Sequence, residues 1–255
     1  MDSMAQIKLA EQPNIMALLQ TLEDNRLNKE KQEVGALVSC LDSMEEQYGK
    51  ILGEMQGIRE ELGRMGESQT KIQLSDITEQ AQKKIQEFGE QLKKMKENLV
   101  KSAKSAVEQC KGKGATVLRK VVSGMKIPQA ISKLENALSK TQSGVEQQAI
   151  KAGAIRQELQ SIGAHTKNVG KMLIGKETKE IPADTASIGK VEKMLLRFAK
   201  RLEKMEQSAE KTRGKLEQFV TGKQKSSVKM ELNQLKKQRT ETGQTLALPD
   251  KSMER

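Results

Sequence analysis

The sequence predicts an extended, all-α protein of long antiparallel helical hairpins with coiled-coil heptad packing, followed by a disordered basic tail. Three observations carry this. Apolar residues recur at alternating steps of three and four over four long runs. Glu and Lys dominate a chain of 255 residues that is only 35% hydrophobic. No stretch alternates apolar and polar residues as a half-buried strand does. Trp is absent, and the aromatics are Tyr48, Phe88, Phe198 and Phe219. That is little volume for a rounded enzyme domain with a deep pocket.

The spacing divides the chain into 1–28, a short N-terminal helix; 29–126, a first hairpin plus a short helix; 127–223, a second hairpin; and 224–255, a basic, partly disordered tail. In the first segment Ile15, Leu18, Leu19 and Leu22 make one apolar face. The second opens with Val34, Leu37, Leu41, Met44, Tyr48, Ile51, Met55, Ile58, Leu62 and Met65, an unbroken heptad stripe. Val38 and Leu52 widen it, which predicts more than one neighbour. Gly49, Gly53, Gly57 and Gly63 lie away from the stripe. They predict either a loosened helix or close approach of another helix to that outer face.

A turn is expected at Gly66 to Ser75, with a cap at Asp76 answered by Glu79. The stripe then resumes through Ile77, Ala81, Ile85, Phe88, Leu92, Met95 and Leu99 to Ala106. Antiparallel pairing places Met55 by Phe88 and Tyr48 by Met95. Cys110 and Gly112 to Gly114 end this helix, and Val117 to Met125 form a short amphipathic piece.

Pro128 is tolerated at a helix start. It opens a stripe running Ile131, Leu134, Leu138, Thr141, Val145, Gln148, Ala152, Ile155, Leu159, Ile162, Thr166, Val169 and Leu173. Gly175 to Ala183, with Pro182, breaks it. Ile188, Val191, Leu195, Phe198, Leu202 and Met205 continue on the far side. A turn centred near residue 179 would set Ile162 by Leu195, Leu159 by Phe198 and Ile155 by Leu202. The polar layers at Thr141 and Gln148 would form the weaker distal end. Val228, Leu232 and Leu235 give a weak pattern, and 240–255 reads as disordered.

The net charge is +11. Residues 1–74 carry 13 acidic and 8 basic side chains, and every later segment is basic. Such asymmetry is either satisfied internally or faces a partner. The candidate polyanion contact is Lys93, Lys94, Lys96, Lys101, Lys104, Lys111, Lys113, Arg119 and Lys120, interleaved with an apolar face. It suits nonspecific nucleic-acid phosphates or an anionic membrane surface. Lys outnumbers Arg 35 to 10, and stacking aromatics are scarce, which argues against base-specific reading.

Other candidate chemistry is thin. Gly170 to Lys176 has phosphate-loop spacing, but Glu177 stands where a magnesium ligand would be needed. Lys111 to Thr116 reads as a helix break before it reads as an anion cradle. His165 is the sole histidine, and Cys40 and Cys110 form no paired motif. The expectation is no enzyme, no catalytic, metal or cofactor site, no cofactor and no small-molecule substrate. The N-terminus has no basic stretch followed by an apolar run, so no signal peptide is expected. The longest apolar run, Ile15 to Leu19, is far short of the roughly 20 residues of a spanning helix. The expected setting is cytoplasmic. The expected partners are another protein or a second copy, with nucleic acid and membrane as alternatives.

Two patches carry a resemblance. Leu41-Asp-Ser-Met-Glu-Glu-Gln-Tyr48 and the run from Leu159 to Glu177 resemble an uncharacterised family of bacterial helical proteins, a domain of unknown function. The resemblance covers roughly 34–177. That family is often encoded on integrative or conjugative elements of Gram-positive gut bacteria. The resemblance implies an accessory protein of a mobile element and assigns no catalytic residue.

Overall fold

The computed structural model describes residues 8–174 and 184–241, with side chains for 8–111, 114–165 and 185–218. It is all-α, with no strand among the described residues. A 3-10 turn, Leu9–Glu11, leads into α1 (Pro13–Asp24), α2 (Asn28–Arg64), α3 (Gln69–Lys113), α4 (Ala115–Gly124), α5 (Ile127–Ile174) and α6 (Asp184–Glu241).

The helix ends follow from local chemistry. Pro13 sits in the first turn of α1, where its missing N–H costs nothing. Arg26 takes a left-handed φ of 56° just beyond that helix. The Leu27 N–H then reaches back to the Leu22 carbonyl at 2.8 Å, and Leu27 is buried, as in a Schellman stop. Ser68 caps α3, its hydroxyl accepting from the Lys71 N–H at 3.2 Å. The first turn is therefore shorter than the sequence suggests. It closes between Arg64 and Gln69, and Asp76 lies exposed inside α3 rather than at its cap. Gly114, with φ 76°, separates α3 from α4.

The chain forms two compact units, residues 1–213 and 214–255. The second is helical to Glu241, so the helix expected to end by residue 223 runs on through 224–241, residues 240 and 241 included, and the rest of the expected disordered tail lies outside the described residues. In the first unit α2 and α3 pair as a hairpin. α5 packs along α3, and α6 lies against both α2 and α5. Glu61 and Glu54 of α2 hold Lys190 and Arg201 of α6. Glu135 and Arg156 of α5 hold Arg213 and Glu192. The two expected hairpins thus interleave as one four-helix bundle of α2, α3, α5 and α6. The width of the apolar faces requires this: Val38 and Cys40, off the α2 stripe, are buried together with Val34, Leu37 and Leu41. α1 packs on α2 and α3 through Ile15, Leu18 and Leu22. The preceding turn is tied down by Asp42, whose carboxylate accepts from the Leu9 N–H at 2.7 Å and the Ala10 N–H at 3.1 Å.

The first hairpin lies close to its expected register. Arg59 bonds Gln82 and Glu45 pairs with Lys96, each two residues from the expected partner. Tyr48 departs further. It packs edge-on to Phe88, with ring centroids 6.3 Å apart, rather than beside Met95. The reason is Gly89: a β-carbon there would fall 2.1 Å from the Tyr48 hydroxyl.

The second pair is displaced by nine residues. Arg156 bonds Glu192 at 2.7 Å, where the expected register put residue 201. Glu135 pairs with Arg213 at 3.1 Å, where it put 222. The buried seam therefore uses Leu138, Thr141, Val145, Gln148, Ala149 and Ala152. Ile155 and Leu159 are only half-buried, and Ile162 is 59% exposed. In this register α6 begins level with residue 164 of α5, which continues to Ile174 beyond its partner. Ile155, Leu159 and Ile162 therefore lie opposite the first turns of α6 and are only partly covered by them. The turn itself, at 175–183, and the side chains of Thr166, Val169, Leu173 and Phe219 lie outside the described residues.

Candidate interaction surfaces

An open groove of about 1030 Å³ lies between α2 and α3. Tyr48, Gly49 and Leu52 form its α2 side, and Gly89, Lys93 and Val100 line it from α3. Leu9 and Gln12, leading into α1, close one end. Leu52 is 43% exposed, because it projects from α2 beside the stripe rather than along it. Gly49 leaves that side flat; a β-carbon there would meet no atom within 4 Å. The Tyr48 hydroxyl is pushed above its ordinary pKa by burial, with Glu90 adding to it. It therefore remains a neutral donor and acceptor in the groove wall.

The basic candidates divide. Lys93, Lys94, Lys101, Lys104 and Lys111 are exposed on α3. At about 100° per residue they share one arc of roughly 100°. Glu90, Glu97 and Glu108 occupy the same arc, and Lys104 lies 4.0 Å from Glu108. Lys96 is drawn inward to Glu45. Arg119, on α4, holds Glu30 at 3.2 Å, and Lys120 is exposed. The Lys113 side chain lies outside the described residues. Lys96 and Arg119 thus serve interhelical ion pairs, which no sequence spacing announces.

Cys40, Cys110 and His165 do not line the α2/α3 groove. Cys40 and Cys110 are both free. Burial pushes the Cys40 thiol up, against hydrogen bonds with Thr212 and Ser208 that lower it. His165 is exposed. The described residues hold no group of three or more candidate metal ligands, and none of their helices is long and apolar enough to cross a membrane. The side chains of 170–176 lie outside the described residues. A second recess went unnoticed in the sequence. Lys84 crosses α5 at the buried Gly144, beside Ser139, Lys140, Ser143 and Gln147. Its sequence signal is a lone glycine within a helical stripe.

Against known proteins, a family model described as a family of unknown function, DUF6674, matches residues 11–254. The chain belongs to that family. The match takes in all six helices of this DUF6674 protein and therefore every residue lining the α2/α3 groove except Leu9. No curated protein matches it, and no solved structure does.

Proposed function

We propose that this DUF6674 protein is a non-enzymatic cytoplasmic scaffold that acts by helix–helix association with a protein partner. The α2/α3 groove supports this reading most directly. It offers an apolar strip at Tyr48, Leu52 and Val100 flanked by charge, the form that accepts the apolar face of a further helix. The proposed setting is accessory cargo of a bacterial mobile element. It rests on the two patches at 41–48 and 159–177 and the genomic habit of the proteins they resemble.

The test is affinity capture from the native host, with wild type and Leu52→Asp side by side. Leu52 is half in water, so the aspartate is accommodated by the monomer but unwelcome to an apolar helix. A protein retained by wild type and lost with Leu52→Asp is the expected result. Retention that ignores this residue rejects the groove.

A second reading is nonspecific nucleic-acid binding, favoured by the exposed α3 lysines. Retention on DNA would then fall steeply with salt, and reversing Lys101, Lys104 and Lys111 would flatten that dependence. The three carboxylates in the same arc weigh against it. Peripheral binding to anionic membranes is tested by co-sedimentation with vesicles in the same series.

A further inference from the structure

Glu90, Lys94, Glu97 and Lys101 are spaced by four, three and four residues. At about 100° per residue they fall within one arc of roughly 60° on α3. All four are exposed, and none makes an ion pair among the described residues. Their signs alternate along the helix. Glu90, Glu97 and Lys101 also line the α2/α3 groove, so this stripe is the groove's rim.

We propose that the partner docked at this groove is a second copy of this chain, with the two α3 helices antiparallel about a twofold axis passing between Met95 and Lys96. This inference rests on the association reading above and names its partner. The twofold sets Glu90 against the partner's Lys101 and Lys94 against the partner's Glu97, each pair occurring twice. A parallel, in-register arrangement would oppose like charges at all four positions, so the pattern selects one orientation. An isologous interface requires a patch complementary to itself, and this stripe is. The groove's volume of about 1030 Å³ holds roughly two and a half turns of a helix 10 Å across. The charged stripe spans three turns. Pairing within α3, Glu90 with Lys94 and Glu97 with Lys101, would also satisfy these charges. It leaves unexplained why the floor beside them keeps an exposed Leu52 and a helix-interior Gly49 with open space around it. Close approach of a neighbouring helix uses both.

The experiment is sedimentation equilibrium of the full chain, with three variants. Glu90→Lys/Glu97→Lys makes the stripe wholly positive, and Lys94→Glu/Lys101→Glu makes it wholly negative. Gly49→Leu fills the groove at a position where a β-carbon meets nothing in the monomer. Wild type is expected to dimerise with a micromolar Kd. Each charge variant should raise that Kd at least tenfold, and an equimolar mixture of the two should regain it as a heterodimer. Gly49→Leu should raise it likewise with helicity intact. If that variant does not fold, the charge mixture still decides. A wild-type chain that stays monomeric at about 100 µM overturns the proposal. So does a dimer indifferent to all three variants, or a mixture that fails to associate. A monomer that nevertheless retains a host protein through Leu52 overturns the twofold and leaves the association reading standing. Loss of both overturns the two together.

Discussion

The α2/α3 hairpin and the α5/α6 pair carry heptad stripes of similar regularity, yet one lies within two residues of its expected register and the other nine residues away. The difference teaches what a stripe encodes. Alternation of three and four fixes which face of a helix is buried, but every heptad is nearly equivalent to the next along the axis. Axial position needs further information. In α2/α3 a four-residue connection, Met65 to Ser68, with a serine cap, leaves little freedom to slide. Large residues such as Ile51, Ile58, Ile85 and Phe88 fill the seam. In α5/α6 the connection is longer, and the seam is built on Ala149, Ala152 and Gly153, the last crossed by Glu192 of α6. Small residues admit close approach at several offsets, so packing against α2 and α3 sets the outcome.

The sharpest way to break this comparison is a pair of aspartates in α5. Val145 is fully buried and Leu159 is half-buried. Val145→Asp should cost on the order of 4 kcal/mol or more, by placing an unpaired carboxylate in the core. Leu159→Asp should cost about 1 kcal/mol. Urea unfolding of the full chain ranks them. If the two midpoints come in the opposite order, the nine-residue displacement is wrong, and the symmetric register about residue 179 returns.

Fold class and most of the buried faces were legible in this way because each depends on local periodicity, although the α5 stripe fails at Ile162, which is exposed. All ten members of the α2 stripe are buried or half-buried. The α5 register was not legible, since it depends on what the helix meets three elements away. The groove was half legible. Leu52 stood off the stripe and the α2 glycines lay on the outer face, but only the fold brings Gly89 and Val100 opposite them. The candidate basic surface was legible as charge but not as geometry, because Lys96 and Arg119 turn to carboxylates far away in sequence.

Gln148 offers a second test within the displaced seam. It is 3% exposed, and its amide oxygen has no hydrogen-bond partner. Gln148→Leu removes that buried unsatisfied acceptor and should stabilise the protein by about 1–2 kcal/mol. The expected readout is a higher Tm. An unchanged or lower Tm would mean that the amide is solvated or bonded, and the layer more open than described.

Glycines sharpen the comparison within the first hairpin. Gly53 and Gly89 are both in helix interiors, but only Gly89 is occupied from across the seam. Gly53→Ala meets no atom within 4 Å and should stabilise α2 by about 0.5–1 kcal/mol. Gly89→Ala must displace the Tyr48 ring, so it should lose that gain and destabilise instead. Tyrosine fluorescence reports the displacement directly, since Tyr48 is the single tyrosine and there is no Trp. Equal and opposite results would reverse the assignment of inner and outer faces.

The smallest expected effect probes the joint between α2 of the well-registered hairpin and α6 of the displaced pair. The buried Glu61 carboxylate accepts from Lys190 at 3.0 and 3.2 Å and from Arg64 at 2.8 Å. The Lys190 hydrogen bond, against some desolvation, holds its carboxyl below the usual carboxylate range. A folded-state pKa below the unfolded one means that the folded protein favours the charged form. Its contribution is then fully present above the unfolded value of about 4.3 and is lost as pH falls through the lowered folded value. Wild type should therefore melt above Glu61→Gln at pH 7, with a gap that is constant down to about pH 5 and closes below it. Lys190 and Arg64 are more than half exposed, so water screens them and the gap stays small. A gap that persists unchanged to pH 2 would show that the carboxylate is held by shape rather than by charge. The α2–α6 contact would then rest on its apolar partners, such as Met194 against Gly57.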